Sequence, residues 1–189
     1  TIFYPFVFLL NHIGIRFTKL FGEGVESKPT FSHEEFRTMI SVGHKEGTVE
    51  EEAAEMLHKV FDFGNRSVRE AMVPRLEVAA IELGSTIADF LALYAEFPRS
   101  RFPVYKENMD NVVGILAIKD VLMARAKNTI TNESLIDDLV RPAYFTPESK
   151  PLDELFVEMR DNNYHMAVVV DEYGGTAGIV SLNQLVGEI

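Results

Sequence analysis

The chain has no cysteine among its 189 residues, which excludes disulfides and thiolate metal sites and fits a reducing compartment. Cations are scarce too. Lys and Arg total 18 against 29 Asp and Glu, a formal net charge of −11. That argues against a nucleic-acid partner, because a phosphate backbone demands a basic footprint. No apolar run approaches the roughly 20 residues that a membrane-crossing helix needs. Ile2 to Leu10 is nearly continuous, but Asn11, His12, Arg16 and Lys19 break the pattern, and no small-residue cleavage site of a signal peptide follows. Signatures of catalysis are missing as well. There is no Walker A loop and no His-Glu-x-x-His. His165, Asp171 and Ser181 are the ingredients of a triad, but Ser181 lacks a Gly-x-Ser-x-Gly elbow, so the chain does not read as an enzyme.

What is present is a repeat. Val68-Arg69-Glu70-Ala71-Met72-Val73-Pro74 is answered by Ile136-Asp137-Asp138-Leu139-Val140-Arg141-Pro142, 68 residues on. Arg101-Phe102-Pro103-Val104-Tyr105 is answered by His165-Met166-Ala167-Val168-Val169, and Val112 to Leu116 by Thr176 to Val180, both 64 residues on. A duplicated unit of this size cannot usually bury its apolar face alone, so the copies are expected to pack together with a cleft between them.

The chain opens at Thr1 without methionine and reads as a fragment of a longer protein. Phe3, Phe6, Leu10, Ile13, Phe17 and Leu20 recur at helical spacing over residues 1–22. Such an amphipathic helix either packs on its own domain or ends a membrane domain, with Arg16 and Lys19 at the interface. Gly22 to Thr30 reads as a linker. Residues 31–64 form an acidic helical region with two expected capping boxes, Ser32-x-x-Glu35 and Thr48-x-x-Glu51. Its carboxylates, among them Glu50, Glu51, Glu52 and Glu55, suit a solvated face. The alternative is a diffuse magnesium-sensing surface, although no EF-hand spacing is present.

The first repeat, residues 65–130, opens with the capping box Ser67-x-x-Glu70. A strand over Leu76 to Leu83 follows, then a helix capped by Ser85, strands over Phe102 to Tyr105 and Val112 to Leu116 joined by a turn at Lys106 to Asn111, and a helix from Ile118 to Ala126. The second repeat, residues 131–189, keeps this order. It has an extended segment at Ala143 to Thr146, a helical stripe at Leu152, Leu155, Phe156 and Met159, strands over Met166 to Val170 and Ala177 to Ser181 around a turn at Asp171 to Gly175, and a last helix from near Ser181 that is cut short at the C-terminus. The fold class is therefore α+β, two β-α-β-β-α repeats preceded by a helical segment. The short connection between paired strands implies mixed or antiparallel sheets.

This order resembles a tandem pair of cystathionine-beta-synthase-type (CBS) domains, and it is similar in more detail to the CorC/HlyC family of magnesium and cobalt efflux proteins and their CNNM relatives. The phrases that carry the resemblance are Met72-Val73-Pro74-Arg75, Ser100 to Tyr105, Pro147-Glu148-Ser149-Lys150, His165 to Gly175 and Gly178-Ile179-Val180-Ser181. The resemblance implies that an upstream transmembrane domain moves the ion, and that residues 1–22 are its end. It further implies that the CBS pair lies at the cytoplasmic face of the membrane, forms homodimers and regulates transport by binding an adenine nucleotide, ATP or AMP, with or without Mg2+.

A nucleotide requires an apolar slot for the base, acceptors for the ribose hydroxyls, and cations or amides for phosphate. Val78 and Ala79, with Ala80 and Ile81, offer a slot. Arg75 and Arg101 stand out as cations whose forked guanidinium suits phosphate, with surface ion pairing as their alternative role. Ser181 is placed for phosphate or ribose as well as for capping the next helix through Ser181-x-x-Gln184. The resemblance puts Arg75, Arg101, Ser181 and Gln184 on nucleotide-binding positions. Gln184 departs from the acid usual there, and an amide grips ribose hydroxyls without the charge-assisted gain. A pseudo-symmetric second cleft would use Ala117, Asp120 and His165, whose plainer roles are a helix N-terminal charge for Asp120 and a strand histidine for His165. The rival to nucleotide control is a structural dimerisation module whose clefts are degenerate and empty.

Overall fold

The computed structural model of the protein describes residues 32–188. The helix expected over residues 1–22 and the linker after it lie outside the described residues. Two compact units divide the chain, Thr1–Val49 and Glu50–Ile189. In the first, α1 (His33–Lys45) is opened by the complete box expected at Ser32 and Glu35. It buries no residue, and Phe36, Met39 and Val42 along it are exposed.

The second unit starts with α2 (Glu51–Phe63), whose N-cap is Glu50, without a side-chain cap. The box expected at Thr48 does not form. The Thr48 and Val49 amides both donate to the Gly43 carbonyl, and the helix begins only at Glu51. Next come α3 (Val68–Ala71), β1 (Val73–Pro74), a 3-10 turn (Arg75–Glu77) and β2 (Ile81–Glu82). The strand expected from Leu76 to Leu83 thus shrinks to two residues, because the chain coils before it. The helix α4 (Ile87–Glu96) is capped by Thr86, not Ser85. Only Thr86 has an acid three residues on, and Asp89 completes the box. Strands β3 (Arg101–Lys106) and β4 (Asn108–Ala117) meet in a tighter hairpin than expected, turned by Glu107 in the left-handed region (φ 67°). Then follow α5 (Ile118–Ala126), a second 3-10 turn (Asp137–Leu139), β5 (Tyr144–Pro147), α6 (Leu152–Asp161), β6 (Met166–Val170), β7 (Thr176–Ser181) and α7 (Leu182–Gly187).

Each repeat carries the expected β-α-β-β-α order, and both sheets are mixed. In one, β2 pairs parallel with β3, which pairs antiparallel with β4. In the other, β5 pairs parallel with β6, which pairs antiparallel with β7. That second sheet has a fourth strand, β1, which belongs in sequence to the first repeat yet pairs antiparallel with β7, Val73 opposite Ile179. The exchange is reciprocal. Arg141, from the start of the second repeat, bridges Ile115 on β4 through amide-carbonyl bonds of 2.8 and 3.0 Å.

The cores follow the same exchange. The first joins Ile87 and Phe90 of α4, Phe102 and Val104 of β3, Leu116 and Val121, with Ile136 from beyond α5. Phe90 and Phe102 meet edge to face at 5.3 Å. The second core joins Leu152, Leu155 and Met159 of α6 to β6, β7 and Leu185, with Phe63 from before the first repeat and Val68 from its start. Val112 and Ile115 of β4 pack against Val168 of β6, so apolar contacts seal the seam between the sheets.

Candidate functional site

A cleft of about 700 Å3 opens along this seam, within the size range usual for small-molecule sites. It draws on both repeats. Val73, Val78 and Ala79 line it from the segment after α3, Arg99 and Arg101 from the start of β3, and His165, Ser181 and Gln184 from the second repeat. The exchanged strand is what positions these groups. Because β1 is hydrogen-bonded to β7, the apolar stretch that follows β1 is carried across to the end of β7, where α7 begins.

Ser181 is the N-cap of α7 and its Oγ accepts from the Gln184 amide at 3.2 Å. The hydroxyl proton is therefore left to donate to a ligand. The Gln184 Nε2 donates to the carbonyl of Ala71 at the end of α3. A carboxylate at this position could not make that bond, so the amide ties α7 to α3 and keeps Oε1 as an acceptor. The side chain does not reach back to close a capping box, because it is committed to Ala71.

Burial lowers the pKa of Arg101. Asp120 opposes that shift, and Arg141 adds to it. A guanidinium stays charged through any such shift. His165 is also lowered, first by burial and then by Arg101 and Lys119, which favours its neutral form.

The structure thus gathers Val78, Ala79, Arg101, Ser181 and Gln184 into one cleft. Arg75 is not among its lining residues. Asp110 on β4 grips the Arg75 guanidinium through both carboxylate oxygens, the second at 3.1 Å. Of the second-cleft residues, His165 lines this first cleft beside Arg101. Asp120, with a largely covered side chain, is held by Arg141 at 2.7 Å, and Ala117 is buried at the end of β4. Sequence reasoning passed over Arg99, Phe97 and Glu77, all of which line the cleft. Arg99 had a signal, a further cation two residues before Arg101 in a chain poor in cations. Glu50, Glu51, Glu52 and Glu55 stand exposed at the start of α2. Among the described residues, no group of three or more His, Asp or Glu is arranged to hold a metal ion.

Comparisons with known proteins give the family of the chain. Residues 68–127 and 136–189 match the CBS domain, and residues 1–53 match the cyclin M transmembrane N-terminal domain of the CNNM model. The chain is a tandem CBS-domain protein. It belongs to the CNNM/CorC family, and its solved neighbours bear that out. It is 39% identical, with a TM-score of 0.77, to the CBS domain of a bacterial CNNM/CorC family Mg2+ transporter solved with an inhibitor, over 84% of this chain and 96% of that one. It is 41% identical, with a TM-score of 0.67, to such a domain in complex with ATP, over 71% of this chain and 94% of that one. The magnesium and cobalt efflux protein CorC of Vibrio cholerae is 36% identical over 75% of this chain and 48% of its own length. The chain spans less than half the length of such curated relatives. Among the described residues, no helix is long and apolar enough to cross a membrane.

Proposed function

We propose that the seam cleft binds an adenine nucleotide, ATP or AMP, and that binding controls a membrane-embedded transport domain for magnesium or a related divalent cation. The observation that carries this reading is the convergence of chemically distinct groups from both repeats. Val73, Val78, Ala79 and Phe97 offer an apolar slot for the base. In this reading Gln184 Oε1 accepts from a ribose hydroxyl, and Ser181 and Arg101 donate to phosphate; all three line the cleft. The ATP complex of a related CBS domain supports the ligand class. A ligand in this cleft touches both repeats at once. It favours whichever relative arrangement of them it binds more tightly, and that difference is what a transport domain would sense. In this reading the pair works as a homodimer at the cytoplasmic face of the membrane.

The direct test is thermal unfolding and calorimetry of this chain with ATP and AMP, each with and without Mg2+. A nucleotide at about 100 times its dissociation constant stabilises the fold by roughly 2.7 kcal/mol. An unchanged unfolding temperature at millimolar ATP and AMP would reject nucleotide control and leave a dimerisation module with empty clefts.

A further inference from the structure

The cleft concentrates cations in an acidic protein. Arg99 and Arg101 enter from the first repeat and His165 from the second, while Glu77 is the one carboxylate among the lining residues. The cations share one place in the fold, where β3 and β6 begin. The Ser100 carbonyl accepts from the Ile118 amide and the His165 carbonyl from the Leu182 amide, bonds of 3.2 and 3.1 Å that anchor these starts. Met166, the next residue, pairs with Ser181, and His165 and Ser181 both line the cleft.

His165 is the member of this group that can change charge. The charged groups bearing on it are Arg101 from β3 and Lys119 from α5, both cationic. Arg99 and Glu77 share its cleft, and Tyr164, its neighbour in the chain, is stacked on Tyr144. Asp120 on α5 is already held by Arg141. Desolvation and the two cations therefore favour the neutral imidazole while the cleft is empty. A phosphate chain reverses that balance, because an adjacent anion favours the protonated ring.

We propose that His165, Arg99 and Arg101 form the polyphosphate end of the cleft, and that a nucleoside polyphosphate enters it together with a proton taken up by His165. This rests on the nucleotide reading above and adds ligand selectivity and pH control to it. A triphosphate can engage all three groups at once, whereas a monophosphate reaches fewer of them, so ATP couples to the proton more strongly than AMP. Acidification then tightens ATP binding.

The experiment is calorimetry of ATP and AMP binding, with magnesium chelated, near pH 6 and pH 8, in buffers of different ionisation enthalpy so that bound protons are counted. The wild-type chain should take up more protons per ATP than His165→Gln does, and should bind ATP several-fold more tightly at the lower pH. The variant comparison cancels titration of the nucleotide itself. His165→Lys, with a fixed charge, should bind ATP at the higher pH about as tightly as the wild type does at the lower, without the extra proton. Equal proton uptake by wild type and His165→Gln, or equal coupling of AMP and ATP, would overturn the proposal. Absence of binding at both pH values would instead overturn the nucleotide reading, and this proposal with it.

Discussion

Gly178 on β7 lies against the carbonyl of Val73 on β1, so close that a Cβ at Gly178 would collide with it, with the Met72 Sδ only 3.2 Å from the same point. Its repeat-mate Gly114 is placed alike on β4, where the Arg141 carbonyl lies 2.5 Å from the Cβ position. Neither glycine has a positive φ. Both are small because a neighbouring backbone, exchanged from the other repeat, needs their space.

Gly178→Ala and Gly114→Ala should therefore each destabilise the protein by about 1–3 kcal/mol, the usual cost of overfilling a packed site. Urea midpoints measure it. Gly174→Ala is an instructive contrast. That glycine has open space around it but a φ of 81°, so its cost is backbone strain and not collision.

The crossed cores make an unusual statement about where a mutation is felt. Ile136, fully buried, lies near the start of the second repeat but packs in the first core. Ile136→Ala should cost about 2–5 kcal/mol. Amide hydrogen exchange should quicken in β3, β4 and α4 before it does in β6 and β7.

Arg101 and Arg75 were equal candidates on sequence, and the structure separates them. Arg101→Ala should weaken ATP binding by about tenfold or more, the scale of a lost hydrogen bond to a charged group. Arg75→Ala should leave ATP affinity unchanged, since that guanidinium is held by Asp110 outside the cleft lining. Calorimetry on both variants decides between them.

Tyr144 offers a test of electrostatics away from the cleft. Its hydroxyl donates to Glu158, which also accepts from Lys150 Nζ at 2.5 Å. Burial, and then that hydrogen bond and the Glu158 charge, push the phenol up to about 12. The native state thus keeps its proton where the unfolded chain has lost it, so this contribution to stability falls as pH rises from about 10 to about 12. Ultraviolet titration of tyrosinate, compared with a Tyr144→Phe variant, should show Tyr144 titrating late, and earlier in Glu158→Gln.

Much of this architecture can be read locally. Short apolar, β-branched runs marked β3, β4, β6 and β7, and serine-glutamate spacing marked α1 and α3, because these signals act within a few residues. The Thr86 cap was readable too, since Asp89 distinguishes it from Ser85. Other features had no local signal. A two-residue strand at Val73 and Pro74 gains meaning only from Ile179 and Gly178, more than a hundred residues away. The partner of Arg75 is likewise set by the chain's return at Asp110. In the cleft, the resemblance implied that Arg101 and Ser181 share one site, and both line the same opening. It did not imply the place of His165. Strict pseudo-symmetry put it opposite Arg101, but the seam brings both to one opening.

The exchanged strand also bears on how such a chain can be cut and rejoined. A cleavage in the stretch between α5 and the second 3-10 turn would leave two fragments, each still carrying the strand and apolar anchor that complete the other. Val68 and β1 belong by packing to the C-terminal piece, and Ile136 and Arg141 to the N-terminal one. Neither fragment is whole alone, and each is a ready-made template for the other. Two halves made separately should therefore find one another and rebuild the cleft.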